Sequence, residues 1–175
     1  MKKLIFISLL FSILSLSVSA QKPTKAEKAA QLEQEFQQTR QLIESNHFQF
    51  ELNRVYPQDG QDLSRFNPRG KFVITDSVAK GTLPFFGRAY SLPYGEGGGI
   101  EFDGVMKDQS LKIEHKKKRK ILIYRFSITA KNDTYQISME ISGGGNCSLN
   151  MNSNNRAQIS YSGTVSPVKD ETGKS

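Results

Sequence analysis

The chain has 175 residues, with 24 Lys and Arg against 17 Asp and Glu, one cysteine and two histidines. That length fits one domain after removal of a leader, and a lone cysteine excludes an internal disulfide framework. The surplus of positive charge is dispersed rather than gathered on one aromatic-studded face, which argues against nucleic acid as a partner.

Met1-Lys2-Lys3, the uncharged apolar stretch Leu4–Leu16 and the small residues Ser17-Val18-Ser19-Ala20 form the three parts of a secretory signal. Cleavage is expected after Ala20, with Val18 and Ala20 in the small-residue positions. The apolar core is shorter than the ~20 residues that a bilayer-crossing helix needs, and no later segment approaches that length. Cutting residues 1–20 from 175 leaves 155. Two lysines leave with the signal, so 22 basic residues face 17 acidic ones, a charge of +5. The expected location is the periplasm or another exported compartment.

The expected domain layout is a signal peptide (1–20), an N-terminal helix (21–47), an antiparallel β domain (48–168) and a disordered tail (169–175). The helix opens on Thr24-Lys25-Ala26-Glu27, a capping box in which threonine and glutamate satisfy free backbone N–H groups reciprocally. Leu32, Phe36, Thr39 and Ile43 fall on one stripe. The stripe is thin, so the helix is expected to lie on the surface of a sheet.

From Phe48 the period changes to two: Phe48, Phe50 and Leu52 alternate with polar residues. A polar loop spans 57–70. Strands follow at 71–75 and 78–83, joined by a tight turn at Asp76-Ser77. Residues 84–99 are irregular. Ile100, Phe102, Gly104 and Met106 form the next alternation, and Leu111 and Ile113 resume it after an expected turn at Lys107-Asp108. Four further strands carry Leu122–Ile128, Tyr135–Ile141, Cys147–Met151 and Ile159–Val165, linked by short turns. Short connections make antiparallel neighbours. The fold class is therefore α+β and mainly antiparallel β: an N-terminal helix on a curved sheet, small barrel or sandwich of about seven to nine strands. Cys147 lies on the apolar face of its strand, where a thiol serves as a small, inert core residue.

Catalytic patterns are missing. His47 and His115 are far apart, and there is no His-Glu-x-x-His, paired-cysteine or Gly-x-Ser-x-Gly arrangement. No metal ligand set or cofactor motif is present. Asn132-Asp133-Thr134 matches a glycosylation sequon in a tight turn. The most distinctive stretch is Leu83-Pro84-Phe85-Phe86-Gly87-Arg88-Ala89-Tyr90, followed by Tyr94-Gly95-Glu96-Gly97-Gly98-Gly99. Aromatic residues supply contact area, an arginine suits an anion, and loops over a sheet commonly carry such groups. The candidate binding residues are Phe85, Phe86, Arg88, Tyr90, Tyr94 and Glu96. The competing structural reading has Phe85 or Phe86 plug the end of the sheet while Arg88 and Tyr90 bond to backbone. The cationic run His115–Lys120 is expected at a hairpin tip, where lysines discourage edge pairing or meet an anionic surface.

Leu83–Tyr90, Gly99-Ile100-Glu101-Phe102 and Ile159-Ser160-Tyr161-Ser162-Gly163 together resemble an uncharacterised family of exported bacterial proteins, domain of unknown function 4251, found largely in Bacteroidetes. The resemblance covers about residues 30–167. It implies an envelope or periplasmic location in a Gram-negative cell and carries over no catalytic or binding residue. The functional expectation is a non-catalytic binding or interaction module, with an envelope protein, a glycan or a small apolar ligand as partner. Two alternatives stand beside it: a hydrolase of envelope material using Glu96, Glu101 or Asp103, and a carrier holding an apolar ligand inside a half-open barrel.

Overall fold

A computed structural model describes residues 24–61, 63–66, 68–91, 98–116, 119–130 and 133–169. The expected signal peptide, Tyr94, Glu96, Asn132 of the sequon and the tail beyond Lys169 lie outside the described residues. The chain divides into a unit Met1–Gln31 and a unit Leu32–Ser175. The second unit holds the β domain.

Helix α1 runs from Lys25 to Glu44. The capping box forms as the sequence dictates: the Thr24 N–H donates to Glu27 Oε2 at 2.6 Å, and the Glu27 N–H donates to Thr24 Oγ1 at 3.2 Å. The helix ends earlier than the expected residue 47. Asn46 takes a left-handed conformation, φ 49°, which short polar side chains tolerate, and His47 already opens the first strand.

Eight antiparallel strands follow: β1 (His47–Pro57), β2 (Lys71–Thr75), β3 (Val78–Leu83), β4 (Ile100–Lys116), β5 (Arg119–Thr129), β6 (Thr134–Ser142), β7 (Asn146–Ser153) and β8 (Ile159–Pro167). Each pairs with the next, and β8 returns to β1, with Phe50 opposite Val165 and Tyr56 opposite Ser160. The sheet therefore closes into an up-and-down barrel, and the open-sheet and sandwich alternatives fall away. Closure leaves no unpaired strand edge.

Two bulges supply curvature. One falls between Leu52 and Arg54 in β1, and the other between Lys107 and Ser110 in β4. The expected turn at Lys107-Asp108 is thus a bulge inside one strand of 17 residues. Asp108 adopts φ 53°, and Ser127 Oγ donates to its carboxylate at 3.1 Å across the β4–β5 pair. A bulge keeps the ladder running on both sides while switching which residues face inward. After it, Leu111 and Ile113 stand opposite Tyr124 and Leu122.

The interior is packed with rings. Phe50 stacks on Phe72 (centroids 5.2 Å), Phe72 meets Phe102 at 5.7 Å, and Phe102 meets Tyr135 at 6.3 Å. Gly81 sits in register between Phe72 and Phe102. A side chain there would collide with Phe72, so the glycine creates the room that the rings fill. The inward-facing Phe, Ile, Leu, Met and Tyr side chains are buried almost completely. An eight-stranded barrel is just wide enough for its side chains, and this filling removes the support for an apolar-ligand chamber. The outer face is polar, with Lys80, Asp103, Ser138, Asn150 and Ser160 on it, the reverse of a barrel that faces lipid. Among the described residues no helix is long and apolar enough to cross a membrane.

Phe36, Thr39 and Ile43 of α1 are buried, and Phe36 and Ile43 join the barrel core. Phe36 lies against Gly143 in the β6–β7 turn. The helix therefore closes one end of the barrel instead of lying on the outside of a sheet. Its thin stripe suffices because only one end needs covering, and Leu32, one turn earlier, is exposed. The opposite end is bounded by the β1–β2, β3–β4, β5–β6 and β7–β8 connections. Cys147 faces inward, and burial first, then the charge of Glu140, pushes its thiol up.

Candidate functional site

The distinctive motif folds across the loop end. It is held by a short pairing with the β7–β8 connection: Ala89 bridges to Arg156, the Ala157 N–H donates to Arg88 O at 2.9 Å, and the Tyr90 N–H donates to Asn155 O at 2.7 Å. Tyr161, reaching up from the interior of β8, donates its hydroxyl to Pro84 O at 2.9 Å. Burial drives that hydroxyl's pKa well above the usual tyrosine range. Pro84 leaves its own carbonyl free for this bond, and the rigid ring starts the turn away from β3.

Phe85 is half-buried and roofs the barrel end. Its ring lies over the Arg156 guanidinium at 5.1 Å, within cation–π range. Phe86 and Tyr90 point outward, 36% and 66% exposed. The Arg88 side chain is exposed while its backbone carbonyl bonds to β8's approach. Phe86, Arg88 and Tyr90 are therefore the outward-facing candidates among the described residues, and Phe85 lies over the barrel end.

Those three outward residues form one wall of an open cleft of about 590 Å³. Pro57, Gln58 and Asp59, at the end of β1 and just beyond it, face them, and Ala157 lies between. The local chain explains this. β1 ends at Pro57, which cannot donate to a ladder. Gly60, at φ 76°, then turns the loop back, with its N–H donating to Pro57 O at 2.8 Å. Asp59 accepts from the Gln61 N–H at 3.1 Å, and the Leu63 N–H donates to Val55 O. The loop so closed stands beside the motif as the second wall.

Beneath Phe85 lies a residue that the sequence did not single out. Arg156 is 5% exposed, and its Nε and Nη1 have no hydrogen-bond partner among the described residues. Asp133, with a side chain 6% exposed, stands 4.0 Å from Nε. Both Asp133 oxygens are already engaged: Oδ1 accepts from the Thr134 N–H at 2.8 Å and Oδ2 from Ser153 Oγ at 2.5 Å. The pair balances charge without satisfying the guanidinium donors. An arginine between a polar turn and a strand gives no signal in the sequence, because its burial comes from the β3–β4 segment folding over it.

Of the acids named for a hydrolase, the two that lie among the described residues do not gather here. Glu101 and Asp103 are on the outer face of β4, and Asp103 accepts from Lys80 Nζ at 2.7 Å. His47 begins β1 at the helix end, and His115 is on the β4–β5 hairpin. Among the described residues, no three His, Cys, Asp or Glu side chains are grouped to hold a metal. The cationic run does fall on a hairpin, with Lys116 opposite Arg119. Lys116 pairs with Glu140 at 2.6 Å and Lys120 with Glu33 at 2.8 Å. The Lys120 hydrogen bond, ahead of one from Gln37, holds the Glu33 carboxyl below its usual range. Part of the run is therefore spent within the fold.

Comparison with solved structures finds a crystal structure of a DUF4251 family protein from Bacteroides eggerthii. It is 22% identical, covers 79% of this chain and 91% of its own, and superposes with a TM-score of 0.55. At that identity the likeness shows the fold. Among curated proteins none matches. The family described as domain of unknown function (DUF4251) matches residues 30–165, a span that runs from α1 through every strand to Val165 in β8; the chain belongs to that family.

Proposed function

We propose that this chain is an exported, non-catalytic binding protein whose contact surface is the cleft between residues 57–63 and 86–90. The observation that carries the proposal is the cleft itself. Its volume of about 590 Å³ falls in the ~300–1,000 Å³ range of small-ligand sites. Two outward aromatic residues, Phe86 and Tyr90, stand there beside a cation, Arg88, with amide and carboxylate groups opposite. Aromatic surface with a few convergent polar groups is the usual composition of a recognition site. Binding is favoured over catalysis because both histidines lie elsewhere and the one cysteine faces inward, so the described cleft lacks a nucleophile–base pair of the usual kind. Export follows from the N-terminal segment, whose charged start, apolar middle and Val18–Ala20 ending match a cleavable signal.

Native mass spectrometry of the protein purified from its own periplasm tests both parts. The expected spectrum shows a chain beginning at Gln21 with a reproducible added mass, and the Tyr90→Ala protein loses the addition. A chain retaining residues 1–20 overturns export. A bare monomer, together with no crosslink through Tyr90 in intact cells, overturns the binding reading.

A further inference from the structure

Arg156 is the least reconciled group in the described fold. Buried donors are nearly always satisfied in native proteins, and each one left unmade is destabilising. Here two donor atoms of one guanidinium are buried at the mouth of a barrel without a hydrogen-bond partner among the described residues. The nearest anion, Asp133, stays at 4.0 Å with its oxygens committed elsewhere. A methionine or leucine would fill the same place without that cost.

The surroundings indicate what these donors await. The roof over the guanidinium is the Phe85 ring, itself only half-buried. Gly87 packs against that ring, 3.0 Å from an added Cβ to Phe85 Cζ, and Gly87 also lines the cleft. The residue after Arg156, Ala157, is in the cleft as well. The Phe85 ring thus lies against the guanidinium on one side and against Gly87 of the cleft wall on another, so a ligand from the cleft reaches the guanidinium only if Phe85 moves aside.

Charge narrows the ligand. Around the guanidinium and on the cleft wall, Arg156 and Arg88 stand against Asp133 and Asp59, with Arg65 and Arg69 further along the β1–β2 connection. Asp133 is held by Ser153 and the Thr134 N–H, and Asp59 is on the facing wall. A planar monoanion matches the unpartnered donors, since guanidinium and carboxylate make charge-assisted hydrogen bonds in a shared plane. A dianion meets repulsion from both aspartates.

Resting on the cleft reading above, we infer that Arg156 is a buried carboxylate anchor: the ligand of the cleft carries a carboxylate that enters under Phe85 and bonds to Nε and Nη1. An aromatic or apolar body next to that carboxylate then lies along Phe86 and Tyr90.

Benzoate is the probe, with benzamide as its uncharged counterpart and inorganic phosphate as the dianionic one. Titrations of the full mature chain follow the Arg156 Nε–H resonance by ¹H–¹⁵N NMR at constant ionic strength. The expected result is a saturable benzoate shift of that resonance, with benzamide and phosphate each at least about tenfold weaker, a difference of about 1.4 kcal/mol. Arg156→Lys keeps the charge but loses Nε, and benzoate binding to it is expected to fall by at least the same factor. If that variant does not fold, the wild-type resonance decides alone. An Nε–H signal unmoved by benzoate overturns the anchor, as does phosphate binding as tightly as benzoate. Shifts confined to Phe86 and Tyr90, with Arg156 unmoved, also overturn the anchor while the cleft reading stands. Retention of the native ligand mass by the Arg156→Lys protein overturns the anchor too, whereas loss of that mass only in Tyr90→Ala leaves the cleft intact.

Discussion

The two ends of the barrel are closed by different means. At the helix end, apolar side chains from one amphipathic stripe enter the core, and nearby polar groups find partners. The Tyr124 hydroxyl lies 3.0 Å from Asn46 Oδ1 and 2.9 Å from Gln109 Oε1, and the Asp76 N–H donates to Asn46 O at 2.8 Å. At the loop end, one half-buried ring lies over a buried cation whose Nε and Nη1 have no hydrogen-bond partner among the described residues. The helix end has the properties of a stabilising plug. The loop end accepts an energetic cost that a plug would avoid, and the exposed aromatic residues gather beside it. Unsatisfied polarity at one end of an otherwise well-packed fold is the kind of local cost under which function can compete with stability.

Truncating the two closing rings gives the largest contrast. Phe36→Ala is expected to cost about 3–5 kcal/mol, the usual loss for a buried phenylalanine. Phe85→Ala should cost about 1 kcal/mol, since only part of that ring leaves water on folding. Urea denaturation measures both, and equal losses would erase the distinction between the ends. Next comes the buried pair. Arg156→Met alone strands the Asp133 charge and is expected to cost about 3 kcal/mol, whereas Arg156→Met with Asp133→Asn should return to within about 1 kcal/mol of wild type or exceed it. A double variant as unstable as the single one would mean that the pair itself holds the loop end together.

Alkaline pH probes the ends together. Burial pushes the Tyr124 hydroxyl up to about 12 from 10.0, and that of Tyr161 is raised as well. A hydroxyl that holds its proton more tightly when folded contributes stability below pH 10. That contribution is lost as pH rises through the folded value, because the unfolded chain ionises first. Tyrosinate absorbance from Tyr124 and Tyr161 should therefore rise in step with loss of structure. Tyr124→Phe is expected to flatten the stability profile between about pH 10 and 12. Ionisation of Tyr124 and Tyr161 in a chain that stays folded would contradict this. The smallest stability effect belongs to Tyr90→Ala, within about 0.5 kcal/mol of wild type, although it should abolish ligand binding. A marked loss of stability there would turn the cleft wall into a structural element.

Much of the fold was legible because it rests on local regularities. The Thr24–Glu27 box, the period-two runs and the short turns follow from side-chain direction and backbone preference, which act within a few residues. The bulge at Lys107-Asp108 looked like a turn because both place a polar residue at positive φ and interrupt alternation. Only pairing with β5 across the interruption tells them apart. Phe86, Arg88 and Tyr90 were recognisable as site candidates from composition, since exposed aromatic residues beside a cation on a loop have few purely structural uses. Which of two adjacent phenylalanines turns inward depended on where Arg156 stands, some seventy residues later in the chain.

The sequence by itself determined the elements, their antiparallel order, the inward set of rings and the family, all of which depend on short-range patterning along a simple meander. Tertiary structure alone decided that β8 closes on β1, that α1 becomes a plug and that Arg156 is buried under Phe85. Those outcomes depend on shear, on curvature introduced by two bulges, and on contacts between residues far apart in sequence, whose free energies appear only when the barrel is complete.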